Sequence, residues 1–180
     1  MNPPLNIVLI GQHGAGKTTL AEALVTEFNL VRITTGDLLR DLSDKDPQIK
    51  ADLENGRYVG DNTVNRLVGE KLKEYNRVIL DGFPRTFEQA KWLYTTPSNL
   101  NFLTLLLSVS DQVARDRLIA RGRKDDIGTG MESRMRSYQD GISQLLTSYS
   151  SRIKCINGEQ PIPNVLHDTR VQIQNYLRFR

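Results

Sequence analysis

The chain has 180 residues, of which 38% are hydrophobic and 25% are charged, and its formal net charge is +3. These values fit one globular domain, and they exclude a disordered tail, a collagen and a helical membrane protein, because no run approaches the roughly 18 apolar residues of a membrane span. The single Cys155 cannot close an intramolecular disulfide, and the two histidines have no ligand cluster around them for zinc. The first ten residues contain no Lys or Arg, so we predict no secretory signal. Because the lone cysteine suits a reducing compartment, we expect a cytoplasmic location.

Short apolar runs alternate with helical patterns along the chain. The runs are typical of buried parallel strands and cover residues 7–10, 78–80, 102–109 and 153–156. The helical patterns cover residues 18–28, 36–43, 62–75, 111–120, 129–150 and 164–177. This alternation predicts one α/β domain with a parallel sheet and helices on both faces. The second and third helical patterns interrupt it, so we expect them to form an insert over the carboxyl edge of the sheet.

A glycine-rich loop, GQHGAGKT at residues 11–18, follows the first strand and opens the first helix. It matches the pattern G-x-x-x-x-G-K-[ST] in the strand–loop–helix context that this pattern requires. The glycines allow backbone N–H groups to surround phosphate oxygens, and the helix N-terminus adds its positive dipole end. Lys17 would reach the outer phosphates, and Thr18 would ligate Mg²⁺. The alternative is a glycine turn that only caps the helix.

Asp81 ends the second apolar run. Beside a phosphate-binding loop, an acid at this place normally holds magnesium or its waters. The alternative is an aspartate that only begins a turn. The sequence has no N-K-x-D motif for guanine, which argues against a GTPase.

A cluster of basic residues lies between positions 115 and 136. Its members are Arg115, Arg117, Arg121, Arg123, Lys124, Arg134 and Arg136. In isolation such a cluster would be a solvated helix face. Beside a phosphate-binding loop, its guanidinium groups match the oxygens of a phosphoryl group in transfer, and their number suggests two polyphosphate ligands. We expect Arg115 and Arg136 to remain solvated surface residues. An anionic phosphate acceptor needs no general base, so the lack of an H-R-D-like acid favours a nucleotide acceptor over an alcohol.

Six segments, in the same order along the chain, match the pattern of a known protein family. They are GQHGAGKTT (11–19), TTGDLLR (34–40), NGRYVGDN (55–62), ILDGFPRTFEQ (79–89), DRLIARGRKDD (116–126) and CINGEQPIPNV (155–165). With them the sequence resembles the adenylate kinase family of nucleoside monophosphate (NMP) kinases. The resemblance implies a three-layer αβα P-loop NTPase fold with a five-stranded parallel sheet and a small helical NMP-binding insert at about 34–63. It also implies reversible, Mg²⁺-dependent phosphoryl transfer from ATP to a nucleoside monophosphate, for which we expect AMP.

The resemblance also implies roles for individual residues. ATP would be bound by Gly14, Ala15, Gly16, Lys17, Thr18, Thr19, Arg117, Arg121, Gly158 and Ile162. AMP would be bound by Thr35, Arg40, Val59, Gly82, Arg85, Gln89, Arg123 and Arg134. The catalytic residues would be Lys17, Arg85, Arg121, Arg123 and Arg134. Thr18 and Asp81 would hold Mg²⁺, directly or through water.

Four of these residues have structural alternatives. Gln89 would also form a helix capping box with Thr86, and Thr35 would also suit a turn or a helix N-cap. Arg40 could pair with a neighbouring aspartate at the surface. Ile162 could belong to the core.

The segment between Arg121 and Arg123 departs from the family pattern. The family places a mobile lid between these arginines, whereas here only Gly122 separates them, which leaves a vestigial lid at about 121–125. A lid excludes water during transfer, so we expect more ATP hydrolysis per AMP phosphorylated.

Two other functions remain open at this point. One is an ATPase of the same fold that acts as a nucleotide-dependent assembly or regulatory factor, and the other is a kinase with another or a broad acceptor. A nucleic-acid binder is disfavoured, because aromatic residues make up 7% and no basic–aromatic strip is present. We expect a monomer that has no membrane partner and uses ATP, AMP and ADP.

Overall fold

The computed structural model describes residues 3–54, 59–95, 101–122 and 129–179, although not the side chains of 54, 129–134 and 137. Five strands form one sheet within these ranges: β1 (Leu5–Ile10), β2 (Val31–Thr34), β3 (Arg77–Asp81), β4 (Phe102–Ser108) and β5 (Ile153–Asn157). The strands are all parallel and lie in the order β2-β3-β1-β4-β5. The predicted α/β fold with a five-stranded parallel sheet is confirmed.

Helices connect the strands and cover the sheet. They are α1 (Lys17–Phe28), α2 (Thr35–Ser43), α3 (Pro47–Glu54), α4 (Asp61–Glu74), α5 (Phe87–Thr95), α6 (Asp111–Arg121), α7 (Thr129–Ser148) and α8 (Ile162–Arg178). A 3-10 turn at Ser150–Arg152 leads from α7 into β5. None of the described helices is long and apolar enough to cross a lipid bilayer.

The central strand β1 contributes side chains to the hydrophobic cores on both faces of the sheet, because side chains alternate between the two faces of a strand. Leu5, Ile7 and Leu9 pack with residues of α1 and α8, whereas Val8 and Ile10 pack with residues of α4, α5 and α7. Helices therefore cover both faces of the sheet and give three layers. Burial on both faces explains why β1 is a continuous apolar run.

Apolar patterns in the sequence do not predict two of the elements, β2 and α3. Strand β2 lies at the sheet edge, pairs only with β3, and buries only Ile33 among its four residues, so it has no apolar run. Helix α3 has no buried side chain at residues 47–53, so it has no apolar stripe. Helix α5 begins directly after Thr86, as the capping pattern predicts.

Parallel strands bring their carboxyl ends to one edge of the sheet, where α/β proteins bind ligands. Here that edge gathers the glycine-rich loop after β1, Thr35 after β2, Gly82 after β3 and Gly158 after β5. Helices α2 and α3 pack against each other between β2 and α4. Helix α4 instead buries Val64, Val68 and Leu72 against one face of the sheet, so the prediction that the pattern at 62–75 belongs to the insert is wrong. The fold thus assembles segments that are far apart in sequence into one site.

Candidate active site

The glycine-rich loop wraps around the N-terminus of α1. Gly14 and Gly16 have φ angles of 82° and 97°, in the left-handed region that favours glycine. A Cβ on Gly14 would lie 2.4 Å from the backbone oxygen of Ala114 in α6, so a side chain there would collide with that helix. Gly16 is the N-cap of α1 and has no side chain to occupy the helix amides. The loop therefore leaves backbone N–H groups at a helix N-terminus, which is an anion-binding arrangement.

Lys17 lies across this loop. Its Nζ donates to the backbone oxygens of Gly11 at 2.6 Å and Gln12 at 2.9 Å. Burial lowers the pKa of Lys17 to about 8; the Asp81 carboxylate opposes this shift, whereas the Arg85 and Arg121 guanidinium groups add to it. The ammonium of Lys17 is therefore held by the glycine-rich loop. It also feels the charges of Asp81, at the end of β3, and of two predicted arginines.

A cavity of about 230 Å³ lies beside the glycine-rich loop. Its lining includes six of the residues predicted to bind ATP: Ala15, Gly16, Thr19, Arg117, Gly158 and Ile162. Ile162 is 59% exposed, so the alternative that it belongs to the core is wrong. The cavity is lined mainly by apolar atoms, as suits the flat face of a base.

Arg117 spans this cavity from α6. Its Nη1 donates to the backbone oxygen of Ala15 at 3.3 Å, and its Nη2 donates to that of Gly158 at 2.9 Å. Gly158 in turn donates its N–H to the Ser108 oxygen at 2.8 Å. One guanidinium group thus ties the glycine-rich loop to the turn between β5 and α8.

A second group of predicted residues meets around Gly82. The backbone oxygen of Gly82 accepts hydrogen bonds from Arg85 Nε at 2.7 Å and from Thr35 Oγ1 at 3.5 Å. The Arg85 N–H donates to Gln89 Oε1 at 2.7 Å. Thr35 and Gln89 are buried. Val59, which precedes α4 in the chain, is also buried. The structure therefore brings Thr35, Gly82, Arg85 and Gln89 into one connected set of contacts.

Two structural alternatives are resolved at this second group. Gln89 does take part in the cap of α5, because its N–H donates to Thr86 Oγ1 at 3.1 Å. The N-cap of α2 is Thr34, which accepts a hydrogen bond from the Asp37 N–H at 3.1 Å, so Thr35 is not that cap.

Arg40 lies apart from this group. Its side chain is 68% exposed, and its guanidinium pairs with Asp37 one turn earlier on α2. This is the local ion pair that the sequence offered as the alternative to phosphate binding. Surface pairs of this kind contribute little, about 0–1 kcal/mol, so the pairing is no obstacle to a later move toward an anion.

The two predicted metal ligands are joined by a third residue. Asp81 is 7% exposed and its Oδ2 accepts from Arg32 Nη2 at 2.6 Å and from Arg32 Nε at 3.1 Å. The same Nη2 lies 3.5 Å from Thr18 Oγ1. Among the described residues, no group of three or more His, Cys, Asp or Glu side chains could hold a metal by itself. A hydroxyl and one carboxylate beside a phosphate loop nevertheless fit Mg²⁺, which takes few protein oxygens and completes its shell with phosphates and water.

Comparison with known proteins identifies the family. The family model for adenylate kinase matches residues 9–154. An adenylate kinase of Mycobacterium leprae is 36% identical over 163 residues, which cover 85% of this chain and 90% of that protein. Adenylate kinase 1 of a Nostoc species is 34% identical over 179 residues, with coverage of 93% and 97%. An adenylate kinase of Chlamydia trachomatis serovar D is 37% identical over 140 residues, with coverage of 66% and 57%.

The chain belongs to the adenylate kinase family. It is accordingly a nucleotide-binding phosphotransferase, a kinase that transfers phosphoryl groups to nucleoside monophosphates. The predicted family resemblance is confirmed, and so is the enzyme class.

We predict five catalytic lysine and arginine side chains for this adenylate kinase family member, and the structure describes three of them. Arg85 and Arg121 both act electrostatically on Lys17, since both arginines lower its pKa. Arg123 and the side chain of Arg134 lie outside the described residues. The predicted roles of these two arginines, and the vestigial lid at 121–125, stay predictions.

Sequence reasoning missed Arg32. A charged residue in a short edge strand gives no motif, and its partner Asp81 is 49 positions away. The register of the sheet is the feature that reveals the pair of Arg32 and Asp81. Thr34 at the end of β2 lies opposite Asp81 at the end of β3. Arg32, two residues before Thr34, points to the same face and reaches along the strand to the carboxylate. Predicting this pair therefore required recognition of β2 as the neighbour of β3.

We expect replacement of Arg117 by alanine to raise the KM for ATP roughly tenfold and to leave the KM for AMP nearly unchanged. The substitution removes the guanidinium that lines the donor cavity and joins its two walls. A tenfold rise corresponds to about 1.4 kcal/mol, close to the contribution of one hydrogen bond to a charged group. Steady-state kinetics with each nucleotide varied in turn measures the effect. Arg136→Ala, at an exposed position on α7, is the control. An equal rise in both KM values would contradict the assignment of Arg117 to the donor side.

Proposed function

We propose that this kinase catalyses the Mg²⁺-dependent, reversible transfer of the terminal phosphoryl group of ATP to AMP, which yields two molecules of ADP. The observation that carries the proposal is the position of Lys17. Its ammonium lies in the phosphate loop, beside the donor cavity, and it is under the influence of Arg85 from the second residue group. A phosphoryl group would pass between two nucleotides at that point.

Support for ATP as the donor comes from the cavity beside the loop. Its apolar lining and its position next to Ala15 and Gly16 would accept a base and ribose while the phosphates enter the loop. Thr19 and Ile162 stand on its walls, and Arg117 crosses it. We assign these residues, with Gly14, Lys17, Thr18, Arg121 and Gly158, to ATP.

Support for AMP as the acceptor comes from the group around Gly82. Thr35 and Gln89 place buried polar side chains there, which suits a base that is recognised by hydrogen bonds. Arg85 adds a guanidinium for the acceptor phosphate. We assign Thr35, Val59, Gly82, Arg85 and Gln89 to AMP, and we propose that Arg40 joins them when the helical insert at about 34–63 closes.

We propose that Thr18 and Asp81 hold Mg²⁺. When bound, the ion would neutralise charge on the phosphates and so favour transfer. The chain's own contribution is positional and electrostatic. Lys17 and Arg121 would hold the transferring group, while Arg85 would hold the acceptor phosphate in line with it. An acceptor phosphate is already anionic at neutral pH and needs no general base. We assign Arg123 and Arg134 to the same task.

The test is an acceptor screen with ATP, Mg²⁺ and each of AMP, GMP, CMP and UMP, in which ADP is counted. We expect AMP to be the best acceptor and to give two ADP for each ATP consumed. The vestigial lid implies a slow hydrolysis of ATP without acceptor, which sets the baseline. ADP formation at the same rate with and without AMP would overturn the proposal and would favour an ATPase. A preference for another monophosphate would overturn the choice of AMP alone.

A further inference from the structure

Arg32 connects the two groups that we assign to the metal. The side chain of Arg32 is 28% exposed and that of Asp81 is 7% exposed, so the pair is largely shielded from water. Two nitrogens of Arg32 donate to the same carboxylate oxygen, Asp81 Oδ2. Its Nη2 is also the group nearest to the hydroxyl of Thr18, at 3.5 Å. A fixed positive charge therefore stands between the hydroxyl and the carboxylate.

The surroundings hold that charge in place. Arg32 Nη1 lies 3.6 Å from Glu22 Oε1 on α1, so the guanidinium contacts α1 on one side and the end of β3 on the other. Only displacement of the side chain would free the oxygen that it occupies.

A divalent cation meets two obstacles at such a site. One is competition, since Asp81 Oδ2 already accepts two hydrogen bonds from Arg32. The other is repulsion, since like charges a few ångströms apart oppose each other strongly when they are partly removed from water. Nucleotide changes both conditions, because polyphosphate brings several negative charges and supplies most of the oxygens that Mg²⁺ prefers.

We propose that Arg32 is the resident counter-cation of Asp81 and prevents free divalent cations from binding there, so that the metal enters the site together with the nucleotide. This inference rests on the proposed function in one respect, the assignment of Thr18 and Asp81 as metal ligands. Arg32 acts through Asp81 and is a positioning residue. Its role is to set the order in which metal and nucleotide bind.

The experiment is a titration with Mn²⁺, a hard divalent cation that takes the same oxygen ligands, followed by the electron paramagnetic resonance signal of the free ion. The protein is used without nucleotide. We expect weak binding to the wild-type chain and at least tenfold tighter binding to Arg32→Gln. Arg32→Lys keeps the charge and should bind Mn²⁺ as weakly as the wild type.

Two further variants separate this effect from a general change of charge. Arg66→Gln removes one positive charge from an exposed pair with Glu70 on α4 and should leave Mn²⁺ affinity unchanged. Adding Asp81→Asn to Arg32→Gln should abolish the tenfold gain, since the carboxylate is then lost. Unchanged Mn²⁺ affinity in Arg32→Gln, or a gain that survives Asp81→Asn, would overturn the proposal.

Thermal unfolding supplies a second measurement. Arg32→Gln leaves Asp81 buried beside Thr18 without its cation, so this variant should unfold at a lower temperature than wild type. Mg²⁺ without nucleotide should raise the Tm of Arg32→Gln markedly and that of the wild type little, since a bound ion stabilises the state that binds it. If Arg32→Gln folds only when Mg²⁺ is present, that result also supports the proposal; no response of its folding to Mg²⁺ contradicts it.

These outcomes are distinct from those of the acceptor screen. If AMP is phosphorylated and Arg32→Gln gains no Mn²⁺ affinity, the inference about Arg32 fails and the proposed function stands. If Arg32→Gln gains affinity but no monophosphate is phosphorylated, the proposed function fails while the counter-cation role stands.

Discussion

Replacement of Lys17 by methionine lowers the rate of AMP phosphorylation by roughly 10³-fold, because a single well-placed cation contributes about that much to a charged transition state. Methionine keeps the length and apolar character of the side chain and removes only its charge. In the free enzyme, Lys17 Nζ lies against the backbone oxygens of Gly11 and Gln12, within the loop that would receive the phosphates. Initial rates at saturating nucleotide measure the loss. Lys71→Met, at an exposed lysine paired with Glu74, is the matched control.

The same substitution should change how stability depends on pH. Burial lowers the pKa of Lys17 to about 8 in the folded chain, whereas an unfolded lysine keeps its proton up to about pH 10.4. Between these values the unfolded state binds more protons, so Lys17 makes the free energy of unfolding rise with pH. Denaturant unfolding at pH 7 and pH 9.5 should therefore show a rise in wild type that Lys17→Met lacks.

Nucleotide affinity should follow the opposite course. As pH rises through 8, the free enzyme loses the Lys17 charge that would meet the phosphates, so ATP binding should weaken in wild type. Calorimetric titration across that range measures it. If wild type and Lys17→Met show the same pH dependence of both stability and ATP affinity, Lys17 is not the titrating group.

The parts of this protein that are continuous in sequence were predictable. The run that forms β1, the loop from Gly11 to Thr18 and the start of α1 lie within one short stretch, and each carries its own pattern. Burial on both faces makes β1 uniformly apolar, so its strand needs no partner to be recognised. The cap formed by Thr86 and Gln89 is local in the same sense.

Contacts between distant segments were not predictable in this way. The motif shows that Gly14 is a glycine of the loop, but the reason that no side chain fits there is the backbone of Ala114, 100 positions later. The pair of Arg32 and Asp81 depends on the register between β2 and β3, and β2 is an edge strand without an apolar run. Local patterns identify the phosphate loop, whereas the charge that faces Asp81 follows from the topology of the sheet.

Replacement of Arg85 by alanine should lower AMP-dependent transfer by roughly 10³-fold and leave acceptor-free hydrolysis of ATP within about threefold of wild type. Arg85 belongs to the acceptor group, where its Nε donates to Gly82 and its N–H to Gln89. Its loss removes the guanidinium for the acceptor phosphate, while the donor cavity around Arg117 keeps all of its contacts. The measurement is ADP formation with and without AMP.

The charge of Arg85 also explains why the donor side should survive its removal. In wild type this guanidinium lowers the pKa of Lys17, so Arg85→Ala moves that pKa upward and keeps Lys17 protonated to higher pH. ATP affinity above pH 8 should then be higher in Arg85→Ala than in wild type. Arg85→Lys, which retains the charge but not the planar fork, should preserve the low pKa and recover only part of the transfer rate. If hydrolysis falls together with transfer, Arg85 serves the donor, and its place in the acceptor group is wrong.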